Sequence, residues 1–516
     1  MMYYYTTQRS ALQSHAVCIM IDIGDFMIIA QNFLIIRTDE NAPERTVCAR
    51  DENGAVLLQL QIRAAATGKP FYLDVARYRG KEISFSCGEA PFHFDGACDT
   101  LPAAPKRHRP TLHYTVPYGW LNDPNGLICI DGKYHIFCQH NPLSTAWGNM
   151  HWHHSITEDF IRFEHCGDAL FPDGAGTMFS GSAIRDTRNV SGLGKDTVLL
   201  YYTVADYGDE NGRTQFSQGL AYSADGIHFT KYPENPVVPH ITGENRDPKV
   251  VFVPEMDTYV MALYLDGDAY CLLKSDDLLH WERFQTVHIP NDSECPDLYY
   301  LGDCQKWVLT GAADYYLVGH FNQNGFVKEQ EALRFYRELG GRYSYAAQSF
   351  SGTNGSVLRL SWENIRPDGG APFCGQMSIP MQMSSVTLPD GTVRLRAALP
   401  DEMEKRLKPA ENTDDAFIAD IRFQQNFTVS IDGTELKIDV KHNTISHRGN
   451  QIPLTLSGNK SLRLLVDTMS IEILADGGLI FSSLPAFCES GTHTLRITQG
   501  DADIRIQKMD TNDDRA

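Results

Sequence analysis

The sequence predicts an all-β protein: a five-bladed β-propeller followed by a C-terminal β-sandwich and preceded by a small N-terminal β-domain. Long amphipathic helical patterns are nearly absent from the 516 residues. Short apolar or alternating runs of strand length recur instead, bounded by Gly, Asp, Asn or Pro. A chain of this length exceeds one ordinary hydrophobic core, so several domains are expected.

Residues 1–105 are predicted to form the N-terminal β-domain and a linker. Strand candidates are FMIIA (26–30), VLLQLQI (56–62) and FYLDVA (71–76), and the Pro-rich, basic segment PAAPKRHRP (102–110) is typical of a linker. Residues 16–30 are apolar enough for the core of a signal peptide, but Asp22 and Asp25 interrupt them and only Arg9 precedes them as a basic residue. We therefore interpret this stretch as a β-strand.

Residues 106–398 contain a repeat that predicts the propeller. Five similar strands occur in succession: KYHIFCQH (133–140), TVLLYYTV (197–204), TYVMALYL (258–265), KWVLTGAA (306–313) and VLRLSWEN (357–364). Their spacing is too long for a hairpin and suits a unit of about four strands, which is the size of a propeller blade.

A second repeat accompanies the first. The segments 154–165, 222–232 and 274–284 share Ser, then an acidic turn, then an aromatic residue. Such turns are common in any antiparallel protein, so one copy would decide nothing. Three copies, each at a roughly similar distance after a repeated strand, favour five blades.

Residues 399–516 again alternate strand and turn. The segment 427–440 is predicted to be a hairpin that turns at Asp432-Gly433, and the segment 461–478 is predicted to form another pair of strands. This pattern favours a β-sandwich.

The net charge and the cysteine content limit which binding partners and which cellular compartment are expected. The formal net charge is −20, which repels phosphate backbones and anionic lipids, so neither nucleic acid nor a membrane surface is an expected partner. No apolar stretch reaches the roughly 20 residues that span a bilayer. The 12 cysteines are scattered, with no C-x-x-C pair, which favours reduced thiols and a cytoplasmic location.

Three short segments combine a turn or strand end with a carboxylate. WLNDPNG (120–126) holds Asp123 in a sequence that by itself predicts only a turn. NRDPKV (245–250) holds Arg246 and Asp247, which by themselves fit a surface ion pair, and ECPDLY (294–299) holds Glu294, which fits an exposed loop carboxylate.

The positions of these segments favour a shared catalytic site. Each lies shortly before or at the opening of a strand run, and a propeller brings the starts of its innermost strands around one central cavity. Hydrolysis of a glycosidic bond uses two carboxyl groups, a nucleophile and a proton donor. Crowding of like charges is expected to raise the pKa of one member and keep it protonated.

Several motifs in the same order resemble glycoside hydrolase family 32, the invertases, levanases and inulinases. They are WLNDPNG, FCQHNP (137–142), WGNMHW (147–152), FSGS (179–182), RDPK and ECPD. The resemblance covers roughly residues 107–400 and implies a five-bladed propeller with a β-sandwich behind it. It also implies a retaining β-fructofuranosidase that removes terminal fructosyl units from sucrose, fructo-oligosaccharides, inulin or levan without a metal or organic cofactor.

The resemblance assigns roles to individual residues. Asp123 is implied as the nucleophile, Glu294 as the general acid and base, and Asp247 as the group that holds fructose hydroxyls in the transition state. The remaining candidates for substrate binding are Asn122, Gln139, Trp147, Phe179, Ser180 and Arg246. For Trp152 a position in the core is at least as good an interpretation as a place in the pocket.

The substrate preference, the type of reaction and the oligomeric state are left open by the sequence. His153 stands where the family usually has Gly, and residues 337–356 keep YAAQSF without the flanking motifs, so the outer subsites that select the substrate are open. The segment 70–85 resembles the small domain of levanase-like members, which favours fructans. Two alternative functions are a fructosyltransferase that uses the same covalent intermediate and a catalytically silent fructan-binding protein. The oligomeric state is also open, and a homodimer is one option.

Overall fold

The computed structural model describes residues 26–87, 93–103, 109–209, 211–367, 371–454, 460–488 and 491–511. The chain divides into two compact units, Met1–Ala103 and Ala104–Ala516. Almost all regular structure in the described residues is β-strand. No helix among these residues is long and apolar enough to cross a bilayer.

The first unit contains two small antiparallel sheets. The strands are β1 (Phe26–Ile28), β2 (Phe33–Thr38), β3 (Arg45–Arg50), β4 (Val56–Ile62), β5 (Lys69–Asp74), β6 (Glu82–Ser86) and β7 (Gly96–Cys98), with a 3₁₀ turn at Ala76–Tyr78. The strand orders of the two sheets are β1-β6-β3-β4 and β5-β2-β7.

The strand candidates of this unit are confirmed. Run 56–62 coincides with β4, and runs 26–30 and 71–76 overlap β1 and β5. Alternate residues of β4 are buried, as expected for a strand with one face in the core. The strand predicted over 16–30 lies outside the described residues up to position 25. In the predicted linker, residues 104–108 also lie outside them, and residues 102, 103, 109 and 110 have no regular secondary structure.

Five antiparallel sheets follow one another in the second unit. Sheet 1 holds β8 (Gly119–Ile130), β9 (Lys133–Asn141), β10 (His151–Thr157) and β11 (Glu164–Leu170). Sheet 2 holds β12 (Thr177–Asp186), β13 (Thr197–Ala205), β14 (Phe216–Ser223) and β15 (Thr230–Lys231), and sheet 3 holds β16 (Arg246–Val253), β17 (Thr258–Asp266), β18 (Ala269–Ser275) and β19 (Glu282–His288).

Sheets 4 and 5 carry short additional strands. Sheet 4 holds β20 (Asp297–Leu301), β21 (Lys306–Thr310), β22 (Tyr315–Asn322) and β23 (Gly325–Lys328), with β24 (Leu333–Arg334) beside β22. Sheet 5 holds β25 (Ser344–Ser349), β26 (Val357–Glu363), β29 (Met381–Thr387) and β30 (Val393–Ala398), with β28 (Gln376–Met377) beside β26. Strand β27 (Phe373–Cys374) runs parallel to β8 and joins sheet 1.

The five repeated strands of the sequence are the second strands of the five sheets. They coincide with β9, β13, β17, β21 and β26. A second strand has a paired neighbour on each side, and β13 is buried along its whole length. Such a strand reads as a continuous apolar run, which explains why the repeat was visible in the sequence.

The first strands of the five sheets form a closed ring of contacts. In order, β8 contacts β12, β12 contacts β16, β16 contacts β20, β20 contacts β25, and β25 contacts β8. A buried ion pair links three of them, because Lys249 Nζ of β16 lies 2.8 Å from Asp297 Oδ1 of β20 and 2.8 Å from the carbonyl oxygen of Ser349 in β25.

The second repeat forms the turn between the third and fourth strands of sheets 1, 2 and 3. In each turn a hydroxyl oxygen accepts the backbone N–H three residues on, and the residue that donates it has a positive φ. The hydroxyls belong to Thr157, Ser223 and Ser275, and the donors are Phe160, Gly226 and Leu278. The equivalent residue in the first segment is therefore Thr157 and not Ser155, the serine that the sequence comparison aligned.

The C-terminal part contains two larger sheets. The elements are helix α1 (Asp401–Glu404), β31 (Leu407–Pro409), β32 (Phe417–Arg422), β33 (Phe427–Ile431), β34 (Thr434–Asp439), β35 (Thr444–His447), β36 (Asn450–Pro453), β37 (Ser461–Val466), β38 (Ser470–Ala475), a 3₁₀ turn at Asp476–Gly478, β39 (Ile480–Pro485), β40 (Leu495–Gly500) and β41 (Asp503–Met509). The strand orders of the two sheets are β31-β41-β32-β37-β38-β39 and β36-β35-β34-β33-β40.

Both hairpins predicted in this part are confirmed. Strands β33 and β34 pair from Ile431 to Thr434 across a two-residue turn. Asp432 and Gly433 in that turn have φ values of 48° and 84°, as a type I′ turn requires. Strands β37 and β38 pair antiparallel, as expected for residues 461–478.

Candidate active site

Asp123 lies in an irregular part of strand β8 rather than in a turn. The pairing of β8 with β9 runs from Leu121 opposite His140 to Pro124 opposite Cys138, so β8 holds one extra residue there. The turn that Asn-Asp-Pro-Asn-Gly alone predicts is therefore wrong. A proline is tolerated at a bulge because the ladder hydrogen bond it cannot donate is already interrupted.

Similar irregularities occur in the first strands of the next two sheets, at positions that carry candidate site residues. Pairing shifts between Phe179 and Gly181 in β12, which leaves Ser180 in the bulge. It shifts again between Arg246 and Lys249 in β16, where Asp247 has a φ of 65°. Bulges bend a strand and redirect its side chains, and non-glycine residues with positive φ concentrate at functional sites.

Glu294 precedes the first strand of sheet 4 and also has strained backbone geometry, with a φ of 58°. Sheet 5 has a comparable shift between Tyr345 and Gln348 in β25. Four of the five first strands, β8, β12, β16 and β25, therefore carry an irregularity, and in sheet 4 the strained residue Glu294 lies just before β20. The sequence indicated this convergence only through the positions of the three carboxylate motifs.

These irregular segments surround one cavity of about 520 Å³. All nine residues predicted for the site line it: Asn122, Asp123, Gln139, Trp147, Phe179, Ser180, Arg246, Asp247 and Glu294. The cavity volume is in the range of small-molecule sites. The structure therefore brings together every candidate that the sequence singled out.

Asp123 is half-buried in this cavity and is oriented by hydrogen bonds. Its Oδ2 accepts the Ser180 hydroxyl at 2.8 Å, and the Cys295 Sγ lies 3.5 Å from the same oxygen. Burial raises the pKa of Asp123; the Ser180 hydrogen bond lowers that pKa again, and the nearby Glu294 raises it. The expected crowding of like charges is present, but burial is the larger cause.

Asp247 is more deeply buried than Asp123. Its Oδ2 accepts the Cys295 backbone N–H at 3.0 Å, and its own N–H donates to Thr203 Oγ1 at 2.8 Å. Burial raises the pKa of Asp247 to about 7, although Arg246 opposes that rise. Asp247 is therefore a carboxyl group whose charge is disfavoured by its surroundings.

Glu294 is held by a cation on one oxygen and a phenol on the other. Arg246 Nη2 donates to Glu294 Oε1 at 2.6 Å, and the Tyr345 hydroxyl donates to Glu294 Oε2 at 2.5 Å. The same guanidinium donates from Nη1 to Glu244 Oε2 at 2.8 Å. Burial alone would lower the pKa of Arg246, but the carboxylates around it raise that pKa above its ordinary value.

The remaining predicted residues supply polar groups and an aromatic wall. Asn122 Oδ1 accepts the Trp120 indole N–H at 2.8 Å, and Gln139 Nε2 donates to Ser180 Oγ at 3.3 Å. Gln139 Oε1 is buried with no hydrogen-bond partner. A polar atom of this kind is available to a ligand hydroxyl.

The two tryptophans of the WGNMHW segment have different roles. Trp147 is 60% exposed and packs edge-on against Phe179, with 5.8 Å between ring centroids, so its indole forms an apolar wall of the cavity. Trp152 is fully buried and belongs to the core between sheets 1 and 2. The core interpretation of Trp152 is confirmed.

Sequence reasoning missed further residues of the cavity, above all Tyr345, Cys295 and Trp362. Tyr345 belongs to the YAAQSF segment, which the sequence marked as a partly retained motif without giving its tyrosine a role. Cys295 directly follows Glu294, and burial raises its thiol pKa well above the ordinary value, so it is a neutral hydrogen-bond donor here.

The described residues contain three groups of His, Cys, Asp or Glu close enough to share a metal ion, and none includes a residue of the cavity. They are His140, His153 and Asp168; Asp432, Cys488 and His493; and His113, Glu363 and Glu472. The cavity offers carboxylates that are already held by Arg, Tyr, Ser and Cys donors. Its residues therefore suit proton transfer and nucleophilic attack by the chain's own groups.

Comparison with proteins of known sequence points to sugar-cleaving relatives. The chain is 34% identical over 315 residues to a levanase from Bacillus subtilis (55% of this chain, 46% of the relative). It is 32% identical over 280 residues to an invertase from Schizosaccharomyces pombe (49% and 48%) and 31% identical over 337 residues to an extracellular exo-inulinase from Aspergillus awamori (54% and 63%). The chain spans about half to two thirds of the length of these relatives.

Two solved structures have a fold similar to that of this chain. The exo-inulinase from Aspergillus awamori superposes with a TM-score of 0.69 at 24% identity, over 78% of this chain and 99% of that one. A glycoside hydrolase family 32 structure from Bifidobacterium adolescentis gives a TM-score of 0.64 at 19% identity, over 93% of this chain and 98% of that one.

The family model fits the region that builds the cavity. The N-terminal domain model of glycosyl hydrolases family 32 matches residues 113–394, which include sheets 1 to 4 and nearly all of sheet 5. With more than half of the chain matched, and with every carboxylate motif inside the match, the chain belongs to glycosyl hydrolase family 32.

Proposed function

We propose that this protein is a retaining β-fructofuranosidase that hydrolyses terminal β-D-fructofuranosyl residues of sucrose, fructo-oligosaccharides or fructans. One observation carries the proposal: Asp123 in sheet 1, Asp247 in sheet 3 and Glu294, just before sheet 4, line a single cavity of about 520 Å³. Family membership and the levanase, invertase and exo-inulinase relatives support the same reaction.

The proposed scaffold is a five-bladed β-propeller with a β-sandwich behind it. Sheets 1 to 5 are the blades, and the closed ring of contacts among their first strands is the arrangement that blades around a common axis require. The two C-terminal sheets are the layers of the sandwich. The domain boundaries we propose are 1–105, 106–398 and 399–516.

In the first step, Asp123 attacks the anomeric carbon of the fructosyl unit. A carbon–oxygen bond forms to the carboxylate while the glycosidic carbon–oxygen bond breaks, and Glu294 gives its proton to the departing oxygen. The Ser180 hydroxyl holds Asp123 Oδ2, so the other carboxylate oxygen is left for the attack. Burial of Asp123 desolvates the nucleophile.

In the second step, Glu294 acts as a base. It removes a proton from water, the water oxygen bonds to the anomeric carbon, and the bond to Asp123 breaks, which releases fructose and restores both carboxyl groups. Arg246 and Tyr345 fix the Glu294 carboxyl group from its two oxygens, so it keeps one position through both proton transfers.

Asp247 supports the transition state without forming a covalent bond. It lies in the cavity beside the other two carboxyl groups and is anchored by the Cys295 N–H. Hydrogen bonds from fructose hydroxyls to its carboxylate strengthen as positive charge develops on the ring. Gln139 and Asn122 supply neutral donors and acceptors, and Trp147 offers a face for ring stacking.

The decisive assay incubates the protein with sucrose, inulin and levan and measures released fructose. Asp123→Ala and Glu294→Ala are expected to remove most of the activity on every substrate, whereas Glu331→Ala, a control at a side chain that is 85% exposed, retains it. Undiminished activity in either carboxylate variant would refute the assignment. On a substrate with an activated leaving group, azide is expected to restore part of the Glu294→Ala rate.

The same experiment separates the alternatives. A fructosyltransferase uses the same covalent intermediate but passes the fructosyl unit to a sugar hydroxyl, so chromatography at high substrate concentration would find longer oligosaccharides in place of free fructose. A silent fructan-binding protein would bind inulin without turnover. The neutral sugar substrate also agrees with a chain whose net charge of −20 disfavours polyanions.

We also propose a cytoplasmic location. The cysteines of the described residues, Cys48 to Cys488, are free thiols, which supports a reducing compartment. Protein taken from its own cells and treated at once with an alkylating reagent is then expected to carry the label on its accessible cysteines without prior reduction. Labelling only after reduction would contradict the proposal.

A further inference from the structure

A group of three side chains in sheet 1 lies away from the cavity and has no part in the proposed reaction. His140 belongs to β9, His153 to β10 and Asp168 to β11, so the group spans three adjacent strands. His153 and Asp168 are direct partners in the β10–β11 ladder. The side chains of the two histidines are 7% exposed and that of Asp168 is 2% exposed.

The nitrogens and oxygen of this group converge. His140 Nδ1 lies 2.7 Å and His153 Nδ1 lies 3.1 Å from the same oxygen, Asp168 Oδ1. The three atoms all lie within 4.8 Å of one another. Two imidazoles and a carboxylate at such distances form the kind of donor set that borderline divalent cations prefer.

The far side of the His140 imidazole faces a partner of the type that metal-bound histidines require, and the far side of the His153 imidazole faces a third histidine. His140 Nε2 faces the Tyr118 carbonyl oxygen at 3.0 Å, so this nitrogen carries the proton, and Nδ1 faces Asp168 Oδ1. His153 Nε2 lies 3.3 Å from His165 Nδ1, which in turn lies 3.0 Å from the Ser155 hydroxyl. Metal-ligating histidines almost always donate their other N–H to a carboxylate, a backbone carbonyl or water, as His140 does here.

We propose that His140 Nδ1, His153 Nδ1 and Asp168 Oδ1 bind one Zn²⁺ ion. With zinc bound, each imidazole is neutral and donates from Nε2, His140 to the Tyr118 carbonyl and His153 to His165. Without a cation, the His140 ring lies between two oxygen atoms, Asp168 Oδ1 at Nδ1 and the Tyr118 carbonyl oxygen at Nε2. The zinc ion takes the place of the two contacts between the Nδ1 atoms and Asp168 Oδ1.

The required shift of the ligands is small. Ligand atoms about 2.0–2.1 Å from a tetrahedral zinc ion stand roughly 3.3 Å apart. His140 Nδ1 and His153 Nδ1 are 2.7 and 3.1 Å from Asp168 Oδ1, so each must move outward by a few tenths of an ångström. Among the residues that the structure describes, three supply ligands to the ion, and a water molecule can take the fourth position of the tetrahedron.

The position of the site gives the ion a structural role. It ties β9, β10 and β11 to one another, and the Tyr118 carbonyl connects it to the residue before β8, the strand of Asp123. None of the three ligands lines the cavity. We therefore expect zinc to raise the melting temperature of the protein and to leave the chemical step unchanged.

The test measures zinc binding directly. The protein is purified, treated with a chelator, dialysed and titrated with Zn²⁺ in competition with a chromogenic chelator, and the Co²⁺ form is examined for the visible bands of a four-coordinate ion. We expect one tight site per chain. His153→Gly removes a ligand and is expected to weaken zinc binding by more than about 100-fold, because loss of an outer partner alone costs 10–100-fold.

Two further variants separate ligands from neighbours. His165→Gln removes the outer partner of His153 and is expected to weaken zinc binding by about 10–100-fold. His154→Gln is the matched control: it follows His153 in β10 but stacks on Phe137, with 4.2 Å between ring centroids, and it should bind zinc as the wild type does. Circular dichroism checks that each variant is folded.

Two results would overturn the proposal. One is wild-type protein that binds no zinc in the titration, shows no four-coordinate Co²⁺ bands and gains no thermal stability from added Zn²⁺. The other is a folded His153→Gly variant with wild-type zinc affinity. Either result would assign the group to hydrogen bonds of His140 and His153 with Asp168 and no ion.

Discussion

The Asp247 side chain is 5% exposed and shares its cavity with Asp123 and Glu294. Burial raises its pKa to about 7 from an ordinary 3.8. The folded protein therefore holds a proton on Asp247 at pH values at which the unfolded chain has lost it. Stability is lost as the pH rises from about 4 to about 7, because the folded state must then ionise a group that it disfavours.

We expect Asp247→Asn to stabilise the protein while it disables the proposed reaction. At pH 8 the variant should gain up to about 4 kcal/mol in the free energy of unfolding, since each pKa unit corresponds to about 1.4 kcal/mol. At pH 4 the gain should nearly vanish. Thermal melts at both pH values check this, and fructose release should fall by about 100–1,000-fold with loss of a transition-state partner. An equal gain at both pH values would contradict the argument.

Tyr345→Phe tests the phenol that holds Glu294. The variant removes one hydroxyl that donates to Glu294 Oε2 and keeps the ring. A hydrogen bond to a charged group contributes about 1.5–3 kcal/mol, so kcat is expected to fall by about 10–100-fold with a smaller change in KM. The profile of rate against pH should change as well. Tyr300→Phe, at a residue that is 40% exposed, is the control.

The sequence could identify site residues only where a motif carried them. Asp123, Asp247 and Glu294 stand in short segments with turn residues, and family resemblance assigned their roles. Tyr345 and Cys295 were missed because their importance arises from contact between different sheets: Tyr345 in β25 reaches a carboxyl group before β20. No local spacing encodes such a contact.

At the scale of the strand, Gly181 gives a steric reason for the close pairing beside the bulge at Ser180 in β12. A Cβ atom at this position in β12 would lie 1.9 Å from the Tyr201 carbonyl oxygen in the paired strand β13. Backbone atoms cannot move aside without separating the two strands. Gly181 therefore permits the close pairing that follows the bulge at Ser180.

Gly181→Ala is expected to destabilise the protein by about 1–3 kcal/mol, the usual cost of inserting an atom into filled space, and to lower activity by displacing Ser180 from Asp123. Urea unfolding and fructose release measure the two effects. Gly302→Ala is the control, because nothing lies within 4 Å of its added Cβ. Equal unfolding free energies for the two variants would show that β12 and β13 have room to separate.

Strands with regular burial were predictable, whereas irregular ones were not. The second strands of the five sheets are apolar runs and appeared in the sequence as a repeat, and the Asp432-Gly433 hairpin appeared through its turn residues. The Asn122-Asp123-Pro124 segment was assigned to a turn on local preference. Pairing with β9 and contact with β12 and β25 hold it in a strand instead.

At the scale of the whole second unit, a buried polar cluster joins sheet 5 to the C-terminal sheet that contains β37 and β38. His113 Nδ1 lies 2.7 Å from Asp467 Oδ2, and His113 Nε2 lies 3.4 Å from Glu472 Oε1 and 3.8 Å from Glu363 Oε2. Gln376 Nε2 donates to Glu363 Oε2 at 2.7 Å. The side chains of His113 and of the three carboxylates are all fully buried.

Two groups of this cluster, His113 and Glu363, favour the protonated state, whereas Asp467 favours the charged state: burial opposes its charge, but the hydrogen bond to His113 lowers its pKa. Burial opposes the charge on His113, but Asp467 and Glu472 raise its pKa well above the ordinary value. Burial, together with Glu472, raises the pKa of Glu363 to about 8. The folded state thus keeps protons that the unfolded chain releases near pH 4.5 from Glu and 6.5 from His, so stability falls as the pH rises.

Glu363→Gln should flatten this dependence. The amide replaces a carboxyl group that is already neutral below about pH 8 and keeps an oxygen for Gln376, so the variant resembles the wild type at pH 5 and is more stable by a few kcal/mol at pH 9. Melting temperatures at pH 5 and pH 9 measure the difference. Glu331→Gln, at an exposed side chain, should keep the wild-type slope. If Glu363→Gln also keeps that slope, the proton is held elsewhere in the cluster, and the contact between sheet 5 and this C-terminal sheet titrates through His113.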